Sequence, residues 1–378
     1  MRRLIEVGPR PRKASRPTCS QPFAAPRELL DNLRNDRLES AKLNVQALAS
    51  KLMRYREPNG AWSTFELGVT AGALVLSWVL MWWSLDVGYW LTLLLAVPTA
   101  GFLVRLFMIQ HDCGHGSFFR WRLANDWIGR ALGVLTFTPY DYWKRNHAMH
   151  HATSGNLDRR GIGDILTLTV DEYFSRSRFG RFAYRVYRNP LVLFGVGPAY
   201  LFFLQHRLPV EQMRGGWRPW VSAFATNAAI AGGAGLMIWL IGLGPFLAVH
   251  LPVMLLAASI GVWLFYVQHQ YENVMWSRDG GWAMQDAALA GSSHYDLPAI
   301  LRWFTANIGV HHVHHLCSRI PFYRLRQVLR DNPELRNMGR VTFGQSVLTV
   351  RLALWDETRQ KLISFREATR MRRAVAAQ

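Results

Sequence analysis

The chain has 378 residues, half of them hydrophobic, with 16 Trp, 20 Phe and a formal net charge of +19. That composition argues against an ordinary soluble domain and for an integral membrane protein whose basic loops touch anionic head groups. Lys and Arg are spread over the connecting segments with no nucleic-acid-binding motif, which sets nucleic acid aside. Cys19, Cys113 and Cys317 are far apart with no CxxC pair, so neither a disulfide framework nor a thiolate zinc site is indicated.

In chain order, the opening MRRLIEVGPRPRKASRPTCSQP is basic and Pro-rich and lacks the apolar core of a signal peptide, so residues 1 to 26 read as a disordered cytosolic tail, and 1–60 as tail plus amphipathic region. Four apolar stretches, 67–84, 89–109, 220–242 and 245–266, are each close to the roughly 20 helical residues that a bilayer core requires. LDVG joins the first two and little more than Leu243 and Gly244 the last two, which predicts two tight hairpins. Neither connection contains Lys or Arg, whereas the segments before the first span and from 110 to 189 are rich in both. The tight turns therefore face outward, and both termini and the long middle segment are cytosolic. The run from Pro190 to Gln205 (PLVLFGVGPAYLFFLQ) is short for a span, contains Pro198, and would invert everything downstream if it crossed. It reads as interfacial or re-entrant, as does WIGRALGVLTFTP near residue 130. Beyond residue 320, VLRDNPELR and SVLTVRLALWDETRQKLISF alternate apolar positions with Arg in helical fashion, predicting a basic cytosolic helical cap with 336–378 as its tail.

Of 13 histidines, His111 and His115 form one tight group, His147, His150 and His151 a second, and His311, His314 and His315 a third, with His312 interposed. Residues three or four apart on a helix share a face with Cβ atoms about 5–6 Å apart, so the imidazoles of HxxxH and HxxHH can converge on one ion. A lone histidine is ordinarily a packed or surface residue. Three helically spaced groups, all on the predicted cytosolic side, are not explained that way. The first group stands where the second span ends, and His269 in FYVQHQYEN stands where the fourth ends. So many imidazoles exceed what one zinc ion takes and suit two metals. Imidazole binds iron, zinc, copper and nickel alike; open coordination positions and redox chemistry against lipid favour iron. The Glu-x-x-His pattern of soluble di-iron bundles is missing.

HDCGH, HAMHH and HHVHH, in this order between paired spans, resemble the histidine boxes of the membrane fatty-acid desaturase superfamily. GDILTLTVDEY, FYVQHQYENVMW and HHVHHLCSRIPFYRL are similar to its acyl-lipid Δ12 (omega-6) branch, particularly the bacterial members. The resemblance covers roughly residues 60 to 335, with 61–335 as the desaturase domain. It implies an all-α integral membrane protein: four transmembrane helices in two hairpins, interfacial helices, and a cytosolic helical cap carrying a di-iron site. It implies two non-haem iron ions held by His111, His115, His147, His150, His151, His311, His314 and His315, with His269 matching a further ligand histidine near the end of the fourth span. It also implies O2 as co-substrate, a cis double bond placed at Δ12 in a membrane-lipid acyl chain, and a bacterial inner-membrane location with boxes and termini cytosolic. The sequence has no HPGG-type haem segment, so electrons are expected from a separate protein such as a ferredoxin, drawn by the basic face. No acid or base side chain beyond the metal centre is needed.

Asp112, Asp158 and Asp164 are candidates to orient the ring nitrogens, with helix capping or loop solvation as the alternative. His312 lies on a different helical face from His311 and His315, which suggests a supporting or surface role. Cys113 and Cys317 read as small packed residues, and His206, His250 and His294, without partners at ligand spacing, as structural. Rival readings keep the metal and change the product (a hydroxylase or ketolase of the same superfamily), or treat HDCGH as a variant of the zinc-protease HExxH. The protease reading leaves the other boxes idle and makes Asp112 a base one methylene too short. A metal transporter would place ligands within the spans, where only Arg105 and His250 stand, either snorkelling or interhelical.

Overall fold

The computed structural model describes residues 46–161 and 163–376; the tail expected over residues 1 to 26 lies outside them. Among the described residues four helices are long and apolar enough to cross a membrane: α1 (Gly60–Ser84), α2 (Tyr89–His115), α8 (Trp217–Ile241) and α9 (Leu243–His269). They pair as two hairpins, α1 against α2 and α8 against α9, and α2 also packs along α9. Leu76, Trp83, Leu94 and Trp239 point outward, as side chains facing lipid do.

All four helices outrun the apolar stretches that reveal them. The Asn59 side chain accepts a hydrogen bond from Trp62 N at 3.0 Å and starts α1 seven residues before the apolar run begins. A hydropathy window stops where polar residues begin, but IQHDCGH contains no proline and its single Gly114 is tolerated, so α2 continues to His115 and ends only where Gly116 takes the left-handed conformation (φ 65°). For the same reason α9 runs through Gln268 to His269. At 27 residues, α2 is about 40 Å long, which carries its last turns beyond the apolar stretch. Arg105, buried in α2, donates through Nη2 to Glu66 Oε2 of α1 at 2.5 Å, so its role is interhelical.

Between the hairpins, α3 (Arg122–Leu135) and α4 (Tyr140–Thr153) pack beneath α8. The short helices α5 (Val170–Ser175) and α6 (Arg178–Tyr187) follow. Residues 190–203 form one continuous helical run, but it is not a uniform α-helix. A π-turn at Val192–Val196 leads into α7 (Gly197–Phe203), and both pack on α9.

After α9 come α10 (Met284–Ala290), α11 (Ala299–Phe304), α12 (His311–Leu316), α13 (Phe322–Asp331), α14 (Phe343–Thr349) and α15 (Phe365–Ala376). Short strands join them. β1 (Leu168–Thr169) runs parallel to β4 (Leu352–Asp356), which pairs antiparallel with β5 (Lys361–Ser364); β2 (His294–Asp296) runs parallel to β3 (Arg340–Thr342). The helical reading of SVLTVRLALWDETRQKLISF therefore holds only for its first residues, and the rest is a hairpin. Ala353, Leu354 and Trp355 are successive buried residues. A strand covered on both faces loses the alternation that distinguishes strand from helix. The principal core contains Val104, Ile109, Tyr266, Val267 and Val313, on the same helices that carry the histidines, together with Phe322 at the start of α13.

Candidate metal centre

The ends of α2 and α9, the C-terminal half of α4 and the short α12 converge, and the histidines separate into two groups. His111, His115, His147, His151 and His314 form the first, and His150, His269, His311 and His315 the second, with the ligand nitrogens of each group within 4.8 Å of one another. In α4 the i, i+4 pair His147 and His151 belongs to the first group and the i+3 residue His150 to the second. In α12 the use is reversed: His311 and His315 serve the second group and His314 the first. Each HxxHH thus straddles both groups, because its third histidine leaves the shared face by most of a right angle. The groups touch where the rings of His151 and His315 stack at 4.0 Å.

The inward atoms are Nε2. In the first group they stand 3.3 Å apart for His111 and His115, 3.0 Å for His115 and His147, 3.1 Å for His147 and His151, and 3.2 Å for His151 and His314. In the second group, His150 and His269 are 3.1 Å apart, His269 and His311 3.0 Å, and His311 and His315 3.1 Å. With metal–nitrogen bonds of about 2.1 Å, adjacent ligands stand about 3.0 Å apart in an octahedral or square-pyramidal set and about 3.4 Å in a tetrahedral one. Five nitrogens at 3.0–3.3 Å therefore fit a cation of higher coordination number than structural zinc takes. They do not fit a hydrogen-bonded cluster, because a neutral ring carries one N–H and several lone pairs here face one another.

Two outer contacts fix tautomers. His150 Nδ1 donates to Asp164 Oδ1 at 2.6 Å, and His269 Nδ1 donates to the Gly291 carbonyl at 3.2 Å, so in both rings Nδ1 is engaged outward and Nε2 is aimed inward. Burial holds His147, His151, His311, His314 and His315 well below the usual imidazole range, which keeps them in the neutral form that a metal ion requires.

Of the aspartates proposed as supports, only Asp164 bonds a ring of either group. Asp112 Oδ2 accepts from Phe322 N at 2.7 Å, and its other oxygen stays 3.4 Å from His111 Nδ1, so it ties the end of α2 to the start of α13. Asp158 is a loop residue held by Arg278 and by Asp279 N, away from the histidines. His312 is neither a ligand nor a surface residue. It is fully buried, and its Nε2 donates to the Leu335 carbonyl at 2.9 Å beside His294, which is held by the Arg336 carbonyl. Cys113 and Cys317 lie outside both groups, as do His206 and His250. Sequence reasoning missed Gly291 and Trp143. The Trp143 ring stacks on His147 at 4.8 Å, and its position four residues before that ligand is the signal that could have identified it.

A cavity of about 630 Å³ reaches His111, His147, His150 and His311 and is walled elsewhere mainly by apolar side chains of α2, α7 and α9, among them Phe107, Leu201, Met254 and Phe265. Histidine groups suited to two metal ions, at the ends of membrane-length helices and beside an apolar cavity, define a membrane enzyme that acts on an apolar substrate. Comparison with known proteins agrees. The sequence profile of the family described as fatty acid desaturase matches residues 88–346. The chain is 45% identical over 289 residues to a protein of Bacillus subtilis (strain 168) named fatty acid desaturase, covering 76% of this chain and 82% of that one. It is 28% identical over 279 residues to the sn-1 acyl-lipid omega-3 desaturase (ferredoxin) of a Synechocystis species, covering 69% and 71%. It is 26% identical over 265 residues to the sn-1 oleoyl-lipid 12-desaturase of Anabaena variabilis, covering 65% and 70%. The chain belongs to the fatty acid desaturase family and is an oxidoreductase, a fatty-acid desaturase.

Proposed function

We propose that the protein is an O2-dependent acyl-lipid desaturase that introduces a cis double bond at Δ12 (omega-6), using two non-haem irons. The first iron is held by His111, His115, His147, His151 and His314, and the second by His150, His269, His311 and His315. The observation that carries this reading is the pair of inward-facing Nε2 sets opening on one apolar cavity. When bound, the irons supply the activation of O2 needed to break unactivated C–H bonds. Two hydrogens from adjacent methylenes, with two electrons and two protons from outside, reduce one O2 to two waters.

The chain's own residues do the positioning. Asp164 and Gly291 hold His150 and His269 with Nε2 inward. Trp143 braces His147. Phe107, Met254 and Phe265 exclude water and keep the acyl chain beside the histidines. Relatives named oleoyl-lipid 12-desaturases support the Δ12 position. A relative whose name includes ferredoxin, together with the net charge of +19, supports an acidic soluble electron donor such as a ferredoxin. The Lys and Arg distribution supports a bacterial inner-membrane location with the histidine groups and both termini cytosolic. A zinc protease is disfavoured because five imidazoles exceed the ligands of a zinc site.

The test is expression of the full chain in a host whose lipids contain saturated and Δ9-monounsaturated chains only, followed by mass spectrometry of fatty-acid methyl esters with the double bonds located. A new 9,12-diene is the expected product. A new double bond elsewhere overturns the position, and a product that gains oxygen points to the hydroxylase or ketolase chemistry of the same superfamily.

A further inference from the structure

The segment from Leu191 to Leu204 forms a single-layer wall between the cavity and the outside. Its inner side chains, Val192, Leu193, Gly197 and Leu201, line the cavity that reaches the histidines. On its outer side Leu191 and Leu204 are 81% and 62% exposed. Val196 and Tyr200, one turn apart, do both: they line the cavity and are 65% and 55% exposed, so the cavity opens to the outside between them. The surface around this opening is apolar. Phe179, Phe182 and Val186, exposed on one face of α6, continue it on one side, and Leu208 and Val210 on the other. An apolar band of this extent on a chain with membrane-length helices belongs against hydrocarbon rather than water.

The wall is also irregular where it opens. Gly197 N donates to the Val192 carbonyl in the wider π-helical pattern, and a Cβ at Gly197 would lie 2.9 Å from that oxygen, closer than side chains tolerate. Pro198 then supplies no N–H to the next turn. Such π-turns recur at functional sites because they widen a helix and loosen its hydrogen bonding.

We propose that Val196 and Tyr200 frame a lateral portal through which an acyl chain of a membrane phospholipid passes from the bilayer into the cavity and reaches the histidine groups. The proposal rests on the acyl-lipid reading above. It adds that the substrate enters sideways from the hydrocarbon layer, without leaving the bilayer to be delivered from water.

Full-length protein in phosphatidylcholine nanodiscs, with a diazirine at the end of one acyl chain, tests this. Leu103, Val104 and Met108 of α2 line the cavity and are buried, so light-induced labelling of these positions within residues 103–108 reports only chains inside it. In the wild type these residues become labelled. In Val196→Trp the cavity label and the kcat/KM on phospholipid each fall about tenfold or more, as removing about 1.4 kcal/mol of transfer free energy does. Labelling of Trp239 on the outer face of α8 and the metal content stay unchanged. Tyr200→Ala, which widens the opening, keeps or increases the cavity label. Absence of label at 103–108 in the wild type while Trp239 is labelled, or an unchanged cavity label in Val196→Trp, overturns the portal. Labelling does not depend on where the double bond is placed, so failure of the Δ12 assignment and failure of the portal give different results.

Discussion

Replacing Asp164 removes the carboxylate that, among the described residues, hydrogen-bonds a ring of the two histidine groups. The His150 and Asp164 side chains are 1% and 8% exposed, and the 2.6 Å bond between them is short and charge-assisted. A buried hydrogen bond to a charged group contributes about 1.5–3 kcal/mol. Asp164→Asn keeps a carbonyl that can accept from His150 Nδ1 and loses the charge, so roughly half of that, about 1.4 kcal/mol or tenfold in metal affinity, is expected to go. Asp164→Ala loses the acceptor as well and is expected near the 100-fold end of the range for removing a ligand's outer partner. His150 belongs to the second group only, so one metal position weakens and the other does not. Iron retained by the full-length protein during a chelator titration, counted by elemental mass spectrometry, should release in one step for the wild type and in two for the variants. Variants that keep the wild-type midpoint, or that lose both metals together, would refute the reasoning.

Asp158 provides the contrasting case. Held by Arg278 and Asp279 N at the surface, it should be replaceable by Ala with iron content and product yield unchanged, both read in the same assays. His115→Ala and His315→Ala each remove one ligand from a different group, so each should abolish detectable diene while the remaining group still binds about one iron per chain. Metal-free protein should be acid-labile. Burial holds His147, His151, His311, His314 and His315 below the ordinary imidazole pKa, so below about pH 6.5 the unfolded chain binds more protons than the folded one. The stability is fully present above that pH and is lost as the pH falls toward the depressed folded values. The Tm of chelated protein, measured from about pH 8 down to about pH 5, should fall; a Tm that rises toward acid contradicts the burial of neutral rings.

The convergence of the histidines was legible because residues three and four apart on a helix share a face, and the nine candidates named from the sequence all fall into the two groups. Their division between two groups was not legible. It depends on how α4 and α12 are rotated about their axes, so that His150 and His314 each leave the set their neighbours join. Asp164 could not be told from Asp112 and Asp158 for a related reason: what matters is the path of the chain after α4, not distance in sequence from a box. Among the described residues hydropathy found each of the four membrane-length helices and ended two of them too early, since it measures apolarity and the last turns of α2 and α9 are polar. The β4–β5 hairpin was hidden by its own burial, and the π-turn before Gly197 has no sequence signature beyond an apolar run with Gly and Pro.

The proposed chemistry requires that these side chains hold two irons in one chain. Elemental analysis of full-length enzyme purified without chelator, combined with Mössbauer spectroscopy of 57Fe-grown protein, measures that directly. Two irons per chain in distinct nitrogen-rich environments are expected, one of which shifts in Asp164→Asn. A single iron per chain, or zinc in place of iron in active enzyme, would contradict that chemistry.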